Sequence, residues 1–187
     1  MKLTWKRLRL HTRYPWQIAR EGASVTGCDL ERVFVRIEHE GAVGLGEAVP
    51  VPYYHQSVES VERTLEQAGL LLGDAPEPIE PIVDRLLDRF DDQRAAVAAI
   101  DAALHDLLGK RRGQPVWSML DLKPARTPPT SMAIGIDEPA VIERKVAEAA
   151  EFSVLKIKVG TPDDVATLTT VRRVAPDKRV RVDANCG

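Results

Sequence analysis

The stretch FSVLKIKVG, residues 152–160, decides how the chain is read. Leu155, Ile157 and Val159 alternate with Lys156 and Lys158, and apolar, β-branched residues at a period of two predict a strand. Residues two apart on a strand point to the same face. Two ammonium groups should therefore project side by side from one surface. Like charges so close repel each other, and burying either is costly. Packing alone gives no reason to put both there.

The neighbouring segments follow one rhythm. SMAIGI (131–136) predicts a strand and EPAVIERKVAEAAE (138–151) a helix. Beyond the lysine strand, PDDVATLTTVRRVA (162–175) predicts another helix and RVRVDAN (179–185) a third strand. Strands and helices alternating through short links are the signature of parallel βαβ units. PARTPPT (124–130) is a proline-rich connector, so the expected domains are 1–125 and 126–187. A closed (β/α)₈ barrel needs roughly 250 residues, and three parallel strands alone leave an open edge and a bare face. The chain is therefore expected to be the front part of something larger, or to be completed by another copy or a second chain.

The first part has a different texture. Residues 3–12 alternate loosely, ERVFVRIEHE (31–40) alternates strictly, and EGAVGLGEA (40–48) follows through a hairpin turn at 39–42. The first two strands are separated by YPWQIAREGASVTGCD (14–29), a connection of a length that is usually functional or disordered. Helices are predicted next. Ser57 is the N-cap of the first, whose stripe Val58, Val61, Leu65, Ala68 and Leu72 runs to Gly73. A second covers 79–90. A third covers 93–110, where AAVAAIDAALHDLL (95–108) permits close packing and Gly113 and Pro115 end the helix.

Composition removes several classes. The net charge of −2 gives no electrostatic footprint for nucleic acid or an anionic membrane. No apolar run is long enough for a bilayer span, and the basic N-terminal stretch lacks the apolar core of a signal peptide. Two distant cysteines, Cys28 and Cys186, do not make a disulfide framework. A reduced, cytoplasmic protein is expected.

In α/β architectures ligands bind at the carboxyl ends of strands. Lys156 and Lys158 lie late on one strand, Asp183 ends the next, and Asn185 follows it. Leu155, Ile157 and Val159 should face the helices, and so should Val180 and Val182, which leaves the lysines and Asp183 on the opposite face. Two lysines around one carboxylate suit a bound cation and an anionic substrate. A lysine beside another cation loses its proton more easily, which moves it toward the range of a general base. A divalent ion on hard oxygen ligands such as Asp183 would polarise a substrate carboxylate. Together these groups would permit removal of a proton α to that carboxylate. A Schiff-base aldolase, with either lysine as nucleophile, uses the same residues differently. The simplest alternative is a non-catalytic fragment or interaction module whose K-I-K is a solvated strand face. Asp101 and His105, four apart on a helix, read as a helical hydrogen bond or ion pair rather than a metal pair. GAVGLGE lacks the glycine spacing and the helix of a dinucleotide site.

K-x-K at the end of one strand and V-D-A-N at the end of the next resemble the enolase superfamily, in particular its muconate-lactonising subgroup, whose lysine base and Mg²⁺ are a known pattern. GAVGLGEAVPVPYY (41–54) resembles a segment of that family's capping domain, and AAIDAALHDLLGKRRGQPVWSML (98–120) the helix before its barrel. PWQIAREGASVTGC (15–28) with PYYHQS (52–57) is most similar to the dipeptide epimerases. The resemblance implies an α+β capping domain followed by the first strands of a TIM-type barrel, incomplete in this chain. It implies Lys158 as base on one face of the α-carbon, Lys156 as its assistant, Asp183 as the first of three carboxylate ligands of Mg²⁺, and Asn185 in support. Arg20, Tyr53 and Tyr54 become candidates for binding a dipeptide or other carboxylate. o-Succinylbenzoate synthase and muconate cycloisomerase share the lysines and the metal. The family's other two metal ligands and an epimerase's second lysine belong to later strands, so the chain alone is expected to be inactive.

Overall fold

The computed structural model describes residues 1–19 and 29–185. The chain forms two compact units. One contains Met1–His11 and Asp29–Ala125; the other contains residues 12–19 and 126–185.

The first unit opens with an antiparallel sheet of β1 (Lys2–His11), β2 (Asp29–His39) and β3 (Ala42–Ala48), in that order. Lys2 pairs with Glu38 and His11 with Asp29, so β1 is paired along its whole length. The β2–β3 turn is where alternation placed it. Glu40 and Gly41 both take positive φ, at 46° and 78°, as the favoured two-residue hairpin turn requires. Strict alternation on β2 sends Val33, Val35 and Ile37 into the core, all fully buried.

Helices α1 (Val58–Gly69), α2 (Ile79–Arg89), α3 (Arg94–Arg112) and the short α4 (Val116–Met119) follow. Ser57 begins α1 with a capping box: its Oγ accepts from Ser60 N–H at 3.1 Å, and Ser60 Oγ accepts from Ser57 N–H at 2.9 Å. The expected stripe is buried, including Leu72, but α1 stops at Gly69 and Leu72 reaches the core from the turn after it. Gly113, at φ 61°, caps α3 by donating its N–H to Gly109 and Lys110 carbonyls. The alanine run of α3 lies almost backbone to backbone on β3. A Cβ at Gly44 would sit 1.9 Å from Ala103 O, and one at Gly46 2.0 Å from Ala99 O. Gly44 and Gly46 of GAVGLGE are thus packing residues, whereas Gly41 serves the turn. Val33, Val35 and Ile37 share one core with Leu65, Leu86, Ile100, Leu104 and Leu107, in which each large side chain contributes about 1.5–3 kcal/mol.

The second unit is a parallel sheet in the order β4 (Ser131–Ile134), β5 (Val154–Lys158) and β6 (Arg179–Asp183). Helices α5 (Pro139–Glu148) and α6 (Asp164–Val174) connect the strands. Ile142, Val146, Leu155, Ile157 and Val171 form its core, with Val180 packed against it. Val182 is 58% exposed, because it lies on the outermost strand among those described. β4 ends at Ile134, two residues before the alternation suggests, because Ile136 N–H turns away to Gln17 O at 3.0 Å. Residues 12–19 belong to this unit through that bond and through Tyr14. The Tyr14 hydroxyl donates to Glu148 at 2.8 Å, and its ring lies 5.0 Å from Lys145 Nζ. An α+β unit followed by a parallel strand–helix run is the architecture expected of a capping domain with the opening strands of a barrel. Among the described residues no helix is long and apolar enough to cross a membrane.

Candidate functional site

Parallel pairing of β5 with β6 sets Lys156 opposite Arg181 and Lys158 opposite Asp183. Val159 N–H donates to Asp183 O at 3.1 Å and carries the ladder one residue past β5. Leu155 and Ile157 take the helix-facing positions and are fully buried. The period of two then leaves the lysines on the other face with Asp183, at the carboxyl end of the sheet.

There the side chains converge. Lys156 Nζ and Lys158 Nζ each lie 2.8 Å from the same oxygen, Oδ2 of Asp183. Lys158 also donates to Asn185 Oδ1 at 2.5 Å, and Asn185 N–H donates to Asp183 Oδ1 at 3.0 Å. Asn185 makes both contacts from φ 49°, a left-handed conformation that asparagine tolerates better than most residues. The lysines are not equivalent. The Lys158 side chain is 9% exposed, that of Lys156 40%. A cation as desolvated as Lys158 needs a charged partner and a further acceptor, and Asp183 and Asn185 supply them. The hydrogen bond from Lys156, then that from Lys158, then the Asn185 N–H hold the Asp183 carboxyl far below the usual carboxylate range, against a small opposing effect of burial.

Two features escape a reading of sequence alone. Arg181, the register partner of Lys156, adds a third cation to this face and donates to Ser131 Oγ at 3.1 Å. Three cations and one carboxylate on the same strand face make a surface that attracts anions. Asp164, the first residue of α6, folds its carboxylate back over the loop after β5. It accepts from Gly160 N–H at 2.9 Å and from Thr161 N–H and Oγ1–H at 3.0 and 3.1 Å. These bonds, the Thr161 and Gly160 amides foremost, lower the Asp164 carboxyl pKa. An aspartate in the first turn of a helix, four residues after a glycine, is the signal that could have found it.

The remaining expectations distribute as follows. Tyr53 and Tyr54 lie in the first unit, on the 3₁₀ turn Pro52–Tyr54. Their exposed rings meet edge to face at 5.1 Å. Arg20, like Cys28 and Cys186, falls outside the described residues. His105 Nδ1 lies 3.0 Å from both the carbonyl and the Oδ1 of Asp101, the local helical pairing. Among the described residues no group of three or more histidine, cysteine, aspartate or glutamate side chains is placed to hold a metal ion. Asp183 is a single carboxylate with both lysines on one of its oxygens. The described residues therefore do not by themselves fit a three-carboxylate Mg²⁺ site.

Known proteins share this sequence and fold. Residues 4–121 match the N-terminal domain of the mandelate racemase/muconate lactonizing enzyme family. The chain is 37% identical to the L-Ala-D/L-Glu epimerase of Bacteroides thetaiotaomicron, over all of the chain and 48% of that protein. It is 32% identical to the N-succinyl-L-Arg/Lys racemase of Bacillus cereus, over 96% of the chain and 50% of that protein. The dipeptide epimerase of Enterococcus faecalis, solved with Mg and the dipeptide L-Leu-L-Tyr, superposes with a TM-score of 0.86 at 30% identity, covering 98% of this chain and 52% of that one. The chain spans about half the length of the curated relatives it matches. Its residues 4–121 carry the N-terminal domain of the mandelate racemase/muconate lactonizing enzyme family, to which the chain belongs and whose members named here are an epimerase and a racemase.

Proposed function

We propose that the protein carrying this chain removes a proton α to a substrate carboxylate, and that its reaction is dipeptide epimerisation. The observation that supports this most is the shared contact of Lys156 and Lys158 with one oxygen of Asp183, at the carboxyl end of a parallel sheet. A substrate carboxylate entering this cation-rich face competes with Asp183 for the ammonium groups. Lys158, the more enclosed, is positioned to take the α-proton as base. Lys156, more exposed, is free to follow the substrate carboxylate and hold it. Asn185 keeps Asp183 and Lys158 oriented.

In this reading Asp183 is one hard-oxygen ligand of Mg²⁺, with the others contributed by residues beyond those described. Mg²⁺ held there would supply positive charge against the substrate carboxylate. Arg20, Tyr53 and Tyr54 take the substrate-binding roles, and residues 1–125 and 126–187 are the capping and barrel parts. The relatives named above act on a dipeptide and on N-succinylated amino acids, so the substrate is a small carboxylate acylated on its α-nitrogen.

The test is proton NMR in D₂O with the intact protein, Mg²⁺ and a panel containing L-Ala-L-Glu, hydrophobic dipeptides and N-succinyl-L-arginine. Loss of the α-proton signal with appearance of the second diastereomer or enantiomer supports the reading. Substrate carbonyl trapped on a lysine by borohydride, with activity insensitive to EDTA, would instead establish the aldolase alternative.

A further inference from the structure

We propose that Asp164 is a positioning residue for Lys158: it fixes the backbone immediately after the base and so holds the base's amine over Asp183. The inference rests on the reading of Lys158 as the base. Lys158 is the last residue of β5, and backbone hydrogen bonds hold the residues that follow it. Val159 N–H is tied to Asp183 O at 3.1 Å. Gly160 N–H is tied to both carboxylate oxygens of Asp164, at 3.0 and 2.9 Å, and Thr161 N–H to one of them at 3.0 Å. Gly160 stands at φ 109°, a conformation open essentially to glycine, whose backbone redistributes readily when released.

Asp164 therefore does more than begin α6. Its carboxylate gathers consecutive amides of the loop into one anion-centred turn, and that turn starts two residues from Lys158. The Lys158 amine makes contacts of 2.8 Å to Asp183 and 2.5 Å to Asn185. Both depend on where the end of β5 lies. A displacement of about 1 Å in such a group can cost about 100-fold in rate.

The experiment compares Asp164→Asn and Asp164→Ala with the unaltered chain by ¹⁵N NMR, following the Gly160 and Thr161 amides and the lysine Nζ resonances. The expected result is faster amide exchange at 160 and 161 with a shifted or broadened Lys158 Nζ signal. The change should be larger for alanine than for asparagine, which keeps one acceptor, and the Lys145 Nζ signal should stay fixed as an internal control. Faster exchange at 160 and 161 with an unmoved Lys158 signal would reduce Asp164 to a loop residue and overturn the proposal. Should Asp164→Ala not fold, Asp164→Asn alone decides by the same criterion. In the intact protein, Asp164→Asn is expected to lower kcat about tenfold with KM changed less than twofold; an unchanged kcat overturns the proposal. Full activity in Lys158→Ala would instead remove the base assignment, a separate failure that the Asp164 spectra do not produce.

Discussion

Lys158 and Asp183 are register partners on adjacent parallel strands, and the ammonium of one lies 2.8 Å from the carboxylate of the other. Lys156, two residues earlier, reaches the same oxygen. The carboxylate is shared, and this explains how one strand face tolerates two lysines. Each ammonium is screened from the other by the charge between them, and Asn185 gives the more buried one a second acceptor.

Sharing makes Asp183 a sensitive reporter. Its carboxyl is lowered from the ordinary 3.8, first by Lys156 and then by Lys158. A carboxyl whose folded pKa lies below its unfolded value adds stability that is fully present above the unfolded value. That stability is lost as pH falls from there toward the folded value. The stability gap between the unaltered chain and Asp183→Asn should therefore be constant near neutrality and close as pH falls below about 4. Denaturation at a series of pH values measures it. In ¹³C NMR titrations Lys156→Met and Lys158→Met should each raise the Asp183 carboxyl pKa; an unchanged value in either variant would contradict the shared contact.

The contact of β3 with α3 permits a test of the fold. Gly44→Ala and Gly46→Ala place a methyl group within 2.0 Å of backbone oxygens on α3, which cannot yield as a side-chain tip could. Each should cost at least the roughly 1–3 kcal/mol typical of overpacking. Gly69→Ala, at the end of α1 with its nearest neighbour 3.7 Å away, should be neutral or stabilising by up to about 1 kcal/mol. Chemical denaturation of the three variants separates these outcomes.

Much of this was legible in sequence, for identifiable reasons. Alternation on residues 31–40 and 152–160 reports which face is buried, so the sheets and the convergence of Lys156, Lys158 and Asp183 follow from a period of two. The capping serines and Gly113 announce helix ends through local chemistry. What sequence does not carry depends on contacts between distant segments. The attachment of residues 12–19 to the second unit rests on Tyr14 and Gln17 meeting α5 and the end of β4. The unequal burial of the two lysines depends on what surrounds each tip. Leu72 is buried as the stripe requires, yet lies past the hydrogen-bonded end of α1, since burial and helical bonding stop at different residues.

Lys145 is a structural lysine that a search for catalytic amines could mistake for a functional one. Its side chain is 7% exposed, 2.9 Å from Asp137 Oδ2 and stacked on Tyr14. Removing one partner of a desolvated pair leaves the other uncompensated, so Lys145→Met should destabilise the chain by about 2–3 kcal/mol. Breaking the exposed Arg173–Glu143 pair should leave thermal stability essentially unchanged. Thermal melts of the two variants compare them directly.

The most direct test of the account is the rate of epimerisation of L-Ala-L-Glu by the intact protein with Lys158→Ala, followed by NMR in D₂O, with a folded state verified by circular dichroism. A base on one face of the α-carbon predicts a loss of at least about 100-fold. A folded Lys158→Ala protein that epimerises at the unaltered rate would contradict it.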